Sequence, residues 1–243
     1  MRNGVNVTLF SQLLKVCKRS ASLTDFLQSD SILSVIVLFR HHRLIYAGDR
    51  LAGILLLAVA LPAIAAAAIA VVSLSSRSPF IAHRRVGRHG RDFWILKLRT
   101  MWDDCPAKAN ERGLVEWIES APGGGQKASD DRRVVSRFAA FCRRYSIDEL
   151  PQLVHVAGGE MSLIGPRPLT RDELDQHYGP QAQEVLSLLP GLAGLWQIRG
   201  RSRLSYTERV RLDLELTRTF SFQTYVRILL QTIPAVITGD GAW

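Results

Sequence analysis

Cysteine is scarce in this chain. The three present, Cys17, Cys105 and Cys142, are odd in number and widely separated, with no CxxC and no Cys/His metal spacing. A disulfide framework and a zinc site are excluded as organising devices, and reduced cytosolic thiols are expected. Helix-turn-helix and zinc-finger spacings are missing too, which removes the commonest routes to nucleic-acid recognition. The chain has no internal repeat. No signal peptide is legible: the apolar piece Ile32–Phe39 lies too far in and lacks small residues before Arg40 and His41. The most informative absence is local, for there is not one charged residue from Leu51 to Ser76.

That run reads LAGILLLAVALPAIAAAAIAVVSLSS, with Pro62 near its middle. About 20 uncharged apolar residues suffice for a helix to cross a bilayer. Both flanks are basic, with Arg40, Arg43 and Arg50 before the run and Arg77, Arg84, Arg85, Arg88 and Arg91 after it. Short basic flanks prefer the cytoplasmic side. A simple span would force one of them across. A helix broken at Pro62, entering and leaving by the same face, satisfies both and leaves everything after Arg77 as a cytoplasmic domain. The 243 residues, 47% of them hydrophobic, then divide into an N-terminal extension (1–45), a re-entrant membrane helix (46–76) and a domain of ordinary size (77–243). The formal net charge of +9 suits anionic lipid headgroups and phosphorylated small molecules, and no nucleic acid is expected.

Phe80–Arg85 and Phe93–Leu98 read as two strands around a turn holding Gly87 and Gly90. Residues 103–131, with Pro106, Pro122 and Gly123-Gly124-Gly125, read as a mobile loop. Arg132–Tyr145 alternates apolar and basic residues at helical spacing, and Pro151 and Gly158-Gly159 bracket a further short helix. Ser205–Leu216 predicts a helix with a charged side that includes Glu208, Arg209, Arg211, Asp213 and Glu215. Tyr225–Ile237 fits either a core helix or one lying flat on lipid.

The adjacent carboxylates Asp148 and Glu149 stand out in RRYSIDELPQL. Ser146 and Glu149 fit a helix capping box. A helix starting at Asp148 instead would put Pro151 in its first turn, where the missing N–H costs nothing, and Asp148 where the helix dipole favours an ionised carboxylate. A phosphate bound there needs cations, and Arg143, Arg144 and Lys97 are candidates. With two carboxylates, one is free to attack phosphorus while the other holds Mg²⁺. In Gly165-Pro166-Arg167-Pro168, two prolines pin the backbone around one arginine suited to clamping a phosphate. Pro190–Gln197 puts glycine turns beside Trp196 and Gln197, to frame a base or sugar or simply to bury the tryptophan.

These segments in this order resemble the bacterial sugar transferases, the monotopic polyprenyl-phosphate phosphoglycosyl transferases. The match is carried by Asp49 and Pro62, Arg85-Val86-Gly87, Lys97-Leu98-Arg99-Thr100-Met101, Ser146–Leu153, Met161–Pro168, Pro190–Gln197, Gly200-Arg201 and Arg209–Asp213. It runs from about Leu44 to Ile237. The resemblance implies an α+β, mostly helical enzyme, with a re-entrant helix broken at Pro62 and a catalytic domain on the cytoplasmic face of the bacterial plasma membrane. It implies that Asp148 attacks the β-phosphorus of a UDP-sugar, expelling UMP. Polyprenyl phosphate then takes the sugar phosphate from the aspartate, which starts exopolysaccharide, capsule or O-antigen synthesis. Glu149 would bind Mg²⁺. Lys97, Arg99, Arg143, Arg167, Gln197 and Arg201 would contact substrate or its phosphates. Partners implied are the UDP-sugar, polyprenyl phosphate and anionic lipids, and a homo-oligomer is compatible.

The chain departs from the family pattern at Leu61, at His83-Arg84, at Val154-His155, at Glu160 and at Ser202-Arg203. The usual residues there are Ser, Gln-Glu, Trp-Asn, Asp and Asn-Asp. None of these changes removes a proposed catalytic group. Rival readings are a catalytically degenerate membrane scaffold, a glycosyl transferase that releases UDP, and a membrane-tethered nucleic-acid binder.

Overall fold

A computed structural model describes residues 30–102, 108–119, 136–200 and 204–238, with the backbone alone for 30–41. Cys17, Cys105 and Arg201, all singled out above, lie outside the described residues. The chain divides into two compact units, Met1–Gly48 and Asp49–Trp243. Helix α1 runs over Asp30–Ser75, starting well before the residue 46 expected from sequence. It is long and apolar enough to cross a membrane by length and composition. Pro62 lies inside it and does not divide it into two elements. The proline removes one backbone hydrogen bond without ending the helix.

In the second unit both ends of this segment rest on the same domain. Near the first end, Arg50 Nε donates to the Ala157 carbonyl at 3.4 Å, and a Cβ on Gly53 would meet the Ala157 nitrogen at 2.8 Å. Asp49 is buried; it accepts a hydrogen bond from Ser162 Oγ at 2.5 Å and another from the Tyr225 hydroxyl. Near the other end, Ala67 and Val71 pack with Leu98, Trp102, Ala139 and Cys142. Between Ile54 and Ala63 no residue is buried, and Val59 is 80% exposed.

Strands β1 (Phe80–Val86) and β2 (Asp92–Leu98) form the expected antiparallel pair, with Phe80 opposite Leu98 and Val86 opposite Asp92. Strand β3 (Val115–Ile118) joins β1 in parallel to complete the order β2-β1-β3. The expected loop over 103–131 is corrected here, since β3 and a 3-10 turn at Ala109–Glu111 fall within it. Four residues, VEWI, are too short a run to announce a strand, and β3 exists because β1 offers a free edge 35 positions earlier in register, Phe80 to Val115.

Helix α2 (Arg137–Arg144) is capped by Ser136, whose hydroxyl accepts from the N–H groups of Phe138 and Ala139 at 3.2 and 3.4 Å. A 3-10 segment, Ile147–Gln152, leads into α3 (Leu153–Gly158), which ends at Gly159 in the left-handed conformation. Strands β4 (Ser162–Ile164) and β5 (Gly191–Ala193) pair in parallel, followed by α4 (Leu195–Arg199), α5 (Tyr206–Thr219) and α6 (Phe222–Thr238). Ser205 and Glu208 close a reciprocal capping box at the start of α5. Asp213, expected on the charged side of this helix, is buried instead. Helix α6 buries Tyr225 and Ile228, while Phe222, Leu230, Ile233 and Ile237 form an exposed apolar stripe at helical spacing.

Candidate active site

Strand β2 has β1 on one side and the Ile147–Gln152 segment on the other. That segment begins with a tight reversal, for Ser146 sits in the left-handed region at φ 57° and ψ 24°. Its side chain caps nothing, so the expected Ser146–Glu149 capping box does not form. Nor does an α-helix start at Asp148. Pro151 cannot donate a backbone hydrogen bond and disfavours helical geometry at Leu150, so the α-helix is delayed to Leu153. The dyad therefore stands on a short 3-10 turn, and the helix-dipole argument for Asp148 falls away.

Freed from a capping role, Glu149 reaches across to β2, where Lys97 Nζ donates to its Oε1 at 2.7 Å. Both side chains are partly exposed, at 23% for Lys97 and 35% for Glu149, so the pair is open to solvent and to a ligand. Asp148 is buried beside them. Burial and then the charge of Asp148 push the Cys142 thiol up to about 11, which puts the Asp148 carboxylate near the C-terminal end of α2. The last turn of α2 holds Arg143 and Arg144, and the Arg144 guanidinium lies 5.7 Å from the Tyr145 ring centroid. Arg143 is half-buried.

Arg99, expected to meet phosphate, is buried and engaged with its own chain. Its Nε donates to the Ser78 carbonyl at 2.8 Å, and its guanidinium pairs with Glu116 on β3.

The two glycine-proline motifs, separate in sequence, come together as the β4–β5 joint. Gly191 N–H donates to the Pro166 carbonyl at 2.8 Å, and Gly165 N–H to the Ala193 carbonyl at 2.9 Å. A Cβ on Gly191 would stand 2.0 Å from the Gly165 nitrogen, so side chains are excluded from this crossing. Arg167 leaves the joint over the Trp196 ring, 5.3 Å from its centroid, and Arg209 of α5 lies at the same distance. Trp196 is buried, as the simpler reading of that segment required. Gln197 Nε2 donates to the Leu192 carbonyl at 3.4 Å.

Around Arg167 lies a charge cluster that sequence reasoning missed. Burial alone would raise the Glu173 carboxyl, but the charges of Arg167 and Arg85 and the Thr170 N–H hold it below its ordinary range. Burial lowers both Arg85 and Arg209. Burial lifts Asp213 to about 7, although it accepts hydrogen bonds from the Tyr178 hydroxyl at 2.8 Å and the Arg167 N–H. The alternating basic residues of β1 and α5 were the available signal, but only the fold brings them onto one arginine.

No cluster of three or more His, Cys, Asp or Glu that could hold a metal ion exists among the described residues. The adjacent carboxylates Asp148 and Glu149 nonetheless fit Mg²⁺, which is usually held by one or two carboxylates with water and substrate phosphates completing its shell.

The family model for bacterial sugar transferases matches residues 41–239, against the Leu44–Ile237 delimited by the motifs. The chain belongs to the bacterial sugar transferase family. Among curated members, the exopolysaccharide production protein ExoY of Sinorhizobium fredii is 37% identical over 201 residues, 80% of this chain and 86% of that protein. The UDP-glucose:undecaprenyl-phosphate glucose-1-phosphate transferase of Caulobacter vibrioides is 34% identical over 80% of this chain and 70% of its own length. The undecaprenyl-phosphate galactose phosphotransferase of Salmonella typhimurium is 35% identical over 66% of this chain, which spans 34% of that longer protein.

Proposed function

We propose that this sugar transferase moves a hexose 1-phosphate from a UDP-hexose to polyprenyl phosphate on the cytoplasmic face of the bacterial plasma membrane, as the initiating step of exopolysaccharide, capsule or O-antigen assembly. The observation that carries the reading is the buried Asp148 beside Glu149, itself held by Lys97 at 2.7 Å. The names of the Caulobacter and Salmonella relatives support the donor and acceptor classes.

In this reading an Asp148 oxygen attacks the β-phosphorus of the donor. The bond to the α-phosphate oxygen breaks, and UMP leaves with the electron pair. The sugar phosphate stays on Asp148 until an oxygen of polyprenyl phosphate attacks the same phosphorus and releases the carboxylate. A covalent intermediate lets one site serve a soluble donor and a lipid acceptor in turn. Mg²⁺, bound through Glu149 and substrate phosphates, would neutralise charge on the leaving group. Lys97 orients Glu149. Arg143, Arg167, Gln197 and Arg201 would bind the donor, with Arg167 pinned between Pro166 and Pro168. Arg99 acts instead through its buried pair with Glu116, fixing the end of β2.

The acceptor cannot leave the bilayer, so the membrane segment must hold the site at the interface. A straight helix would set Gly53 and Val71 about 27 Å apart and lay the intervening turns along the domain. Both ends rest on the domain while residues 54–63 stand clear of it, which supports a bend near Pro62 and a re-entrant course. The exposed stripe on α6 suits a helix lying at the same interface.

The test is intact-protein mass measured with Mg²⁺ and a panel of UDP-sugars, without acceptor, while the released nucleotide is followed. A sugar-phosphate adduct with UMP release, absent in Asp148→Asn, is the expected result. UDP release without an adduct would replace the proposal with simple glycosyl transfer.

A further inference from the structure

We infer that His155 is a positioning residue for the Lys97–Glu149 pair, acting as a hydrogen-bond acceptor through its Nε2. The inference rests on the reading of Asp148 and Glu149 as the reacting dyad. His155 lies on α3, seven positions after Asp148, and is buried. Its Nε2 receives the backbone N–H of Leu96 at 3.0 Å. An amide N–H only donates, so this nitrogen must carry the lone pair. The proton of the neutral ring is therefore on Nδ1, which donates to Glu160 Oε2 at 2.8 Å. The Phe93 ring closes over the imidazole edge-on, with centroids 5.7 Å apart.

The bond to Leu96 fills a definite structural need. On its side away from β1, strand β2 has no further strand among the described residues, and the imidazole takes the place of one at Leu96. The next residue is Lys97. The dyad segment and the helix that follows it are thus joined to successive residues of β2, by Glu149 to Lys97 and by His155 to Leu96. Removing the His155 joint puts more of the positioning of this strand edge on a partly exposed ion pair, and such a pair holds geometry weakly.

The experiment uses full-length protein in lipid nanodiscs. The rate of adduct formation is followed beside the ¹⁵N shifts of the His155 ring and the Leu96 amide. The ring is expected as the Nδ1–H tautomer. His155→Gln keeps an acceptor near Leu96, so it should retain the parent rate within about threefold. His155→Ala, which keeps none, should lower kcat with little change in KM. An Nε2–H tautomer, or a kcat unchanged in His155→Ala, would overturn the inference. Absence of any adduct in the parent protein would overturn the dyad reading instead, leaving the ring tautomer and the Leu96 amide to decide this one.

Discussion

Asp213 shows how much the position of one side chain depends on the fold. In the sequence it belongs to a polar stripe with Glu208, Arg209 and Arg211, and a surface position is the natural reading. In the structure it is buried, and its carboxyl rises from 3.8 to about 7. A raised carboxyl binds its proton more tightly when folded. Below about pH 4 both states are protonated and the group has no effect. From there to about pH 7 the unfolded chain ionises first, so stability falls as pH rises, and above 7 the penalty is constant. Thermal unfolding between pH 4 and 7 should show this decline, and Asp213→Asn should flatten it. A slope unchanged in the variant would place the titration elsewhere. Glu149 makes the complementary case: its place beside Asp148 and a cation at Lys97 were legible, whereas the pairing of the two across 52 positions emerged only with the sheet.

At the scale of elements, the chain announced what local patterning controls. Strands β1 and β2, the capped helix α5 and the termination of α3 at Gly159 all follow from alternation, capping residues and glycine. The 3-10 turn under the dyad was misread because two start signals, Ser146 and Asp148, competed and Pro151 defeated both. Strand β3 and the β4–β5 joint were illegible, since each exists through pairing with a distant segment. The joint makes a strong prediction. Gly191→Ala drives a methyl into the Gly165 backbone, which cannot move aside as a flexible side chain would. A loss of about 3 kcal/mol is expected in denaturant unfolding, with the Arg167 loop displaced. A variant as stable as the parent would mean that the two loops separate easily.

The whole molecule is organised by a charge-free segment whose ends share one domain. The basic flanks are the sequence signal behind the proposal that both ends stay on one side of the membrane, while the docking surfaces that hold them, around Val156 and around Leu98, could not be read from the segment itself. Single cysteines at Leu51 and Leu74, both exposed, should label from the cytoplasmic side in oriented vesicles. In Pro62→Ala a straighter helix should shift the depth or side of one of them. Identical labelling in both proteins would assign the bend to the docked ends alone.

The buried Asp49 ties this arrangement to the order of synthesis. Its hydrogen-bond partners Ser162 and Tyr225 lie 113 and 176 positions downstream. At about 5–20 residues per second the ribosome needs roughly 9–35 s to make Tyr225 after Asp49 has been made. Throughout that interval a carboxylate at the head of an apolar helix waits for its hydroxyls. A chain ending before α6 would keep Ser162 and lack the Tyr225 hydroxyl permanently, with the unmet part of the burial cost falling on the anchor rather than on the missing piece.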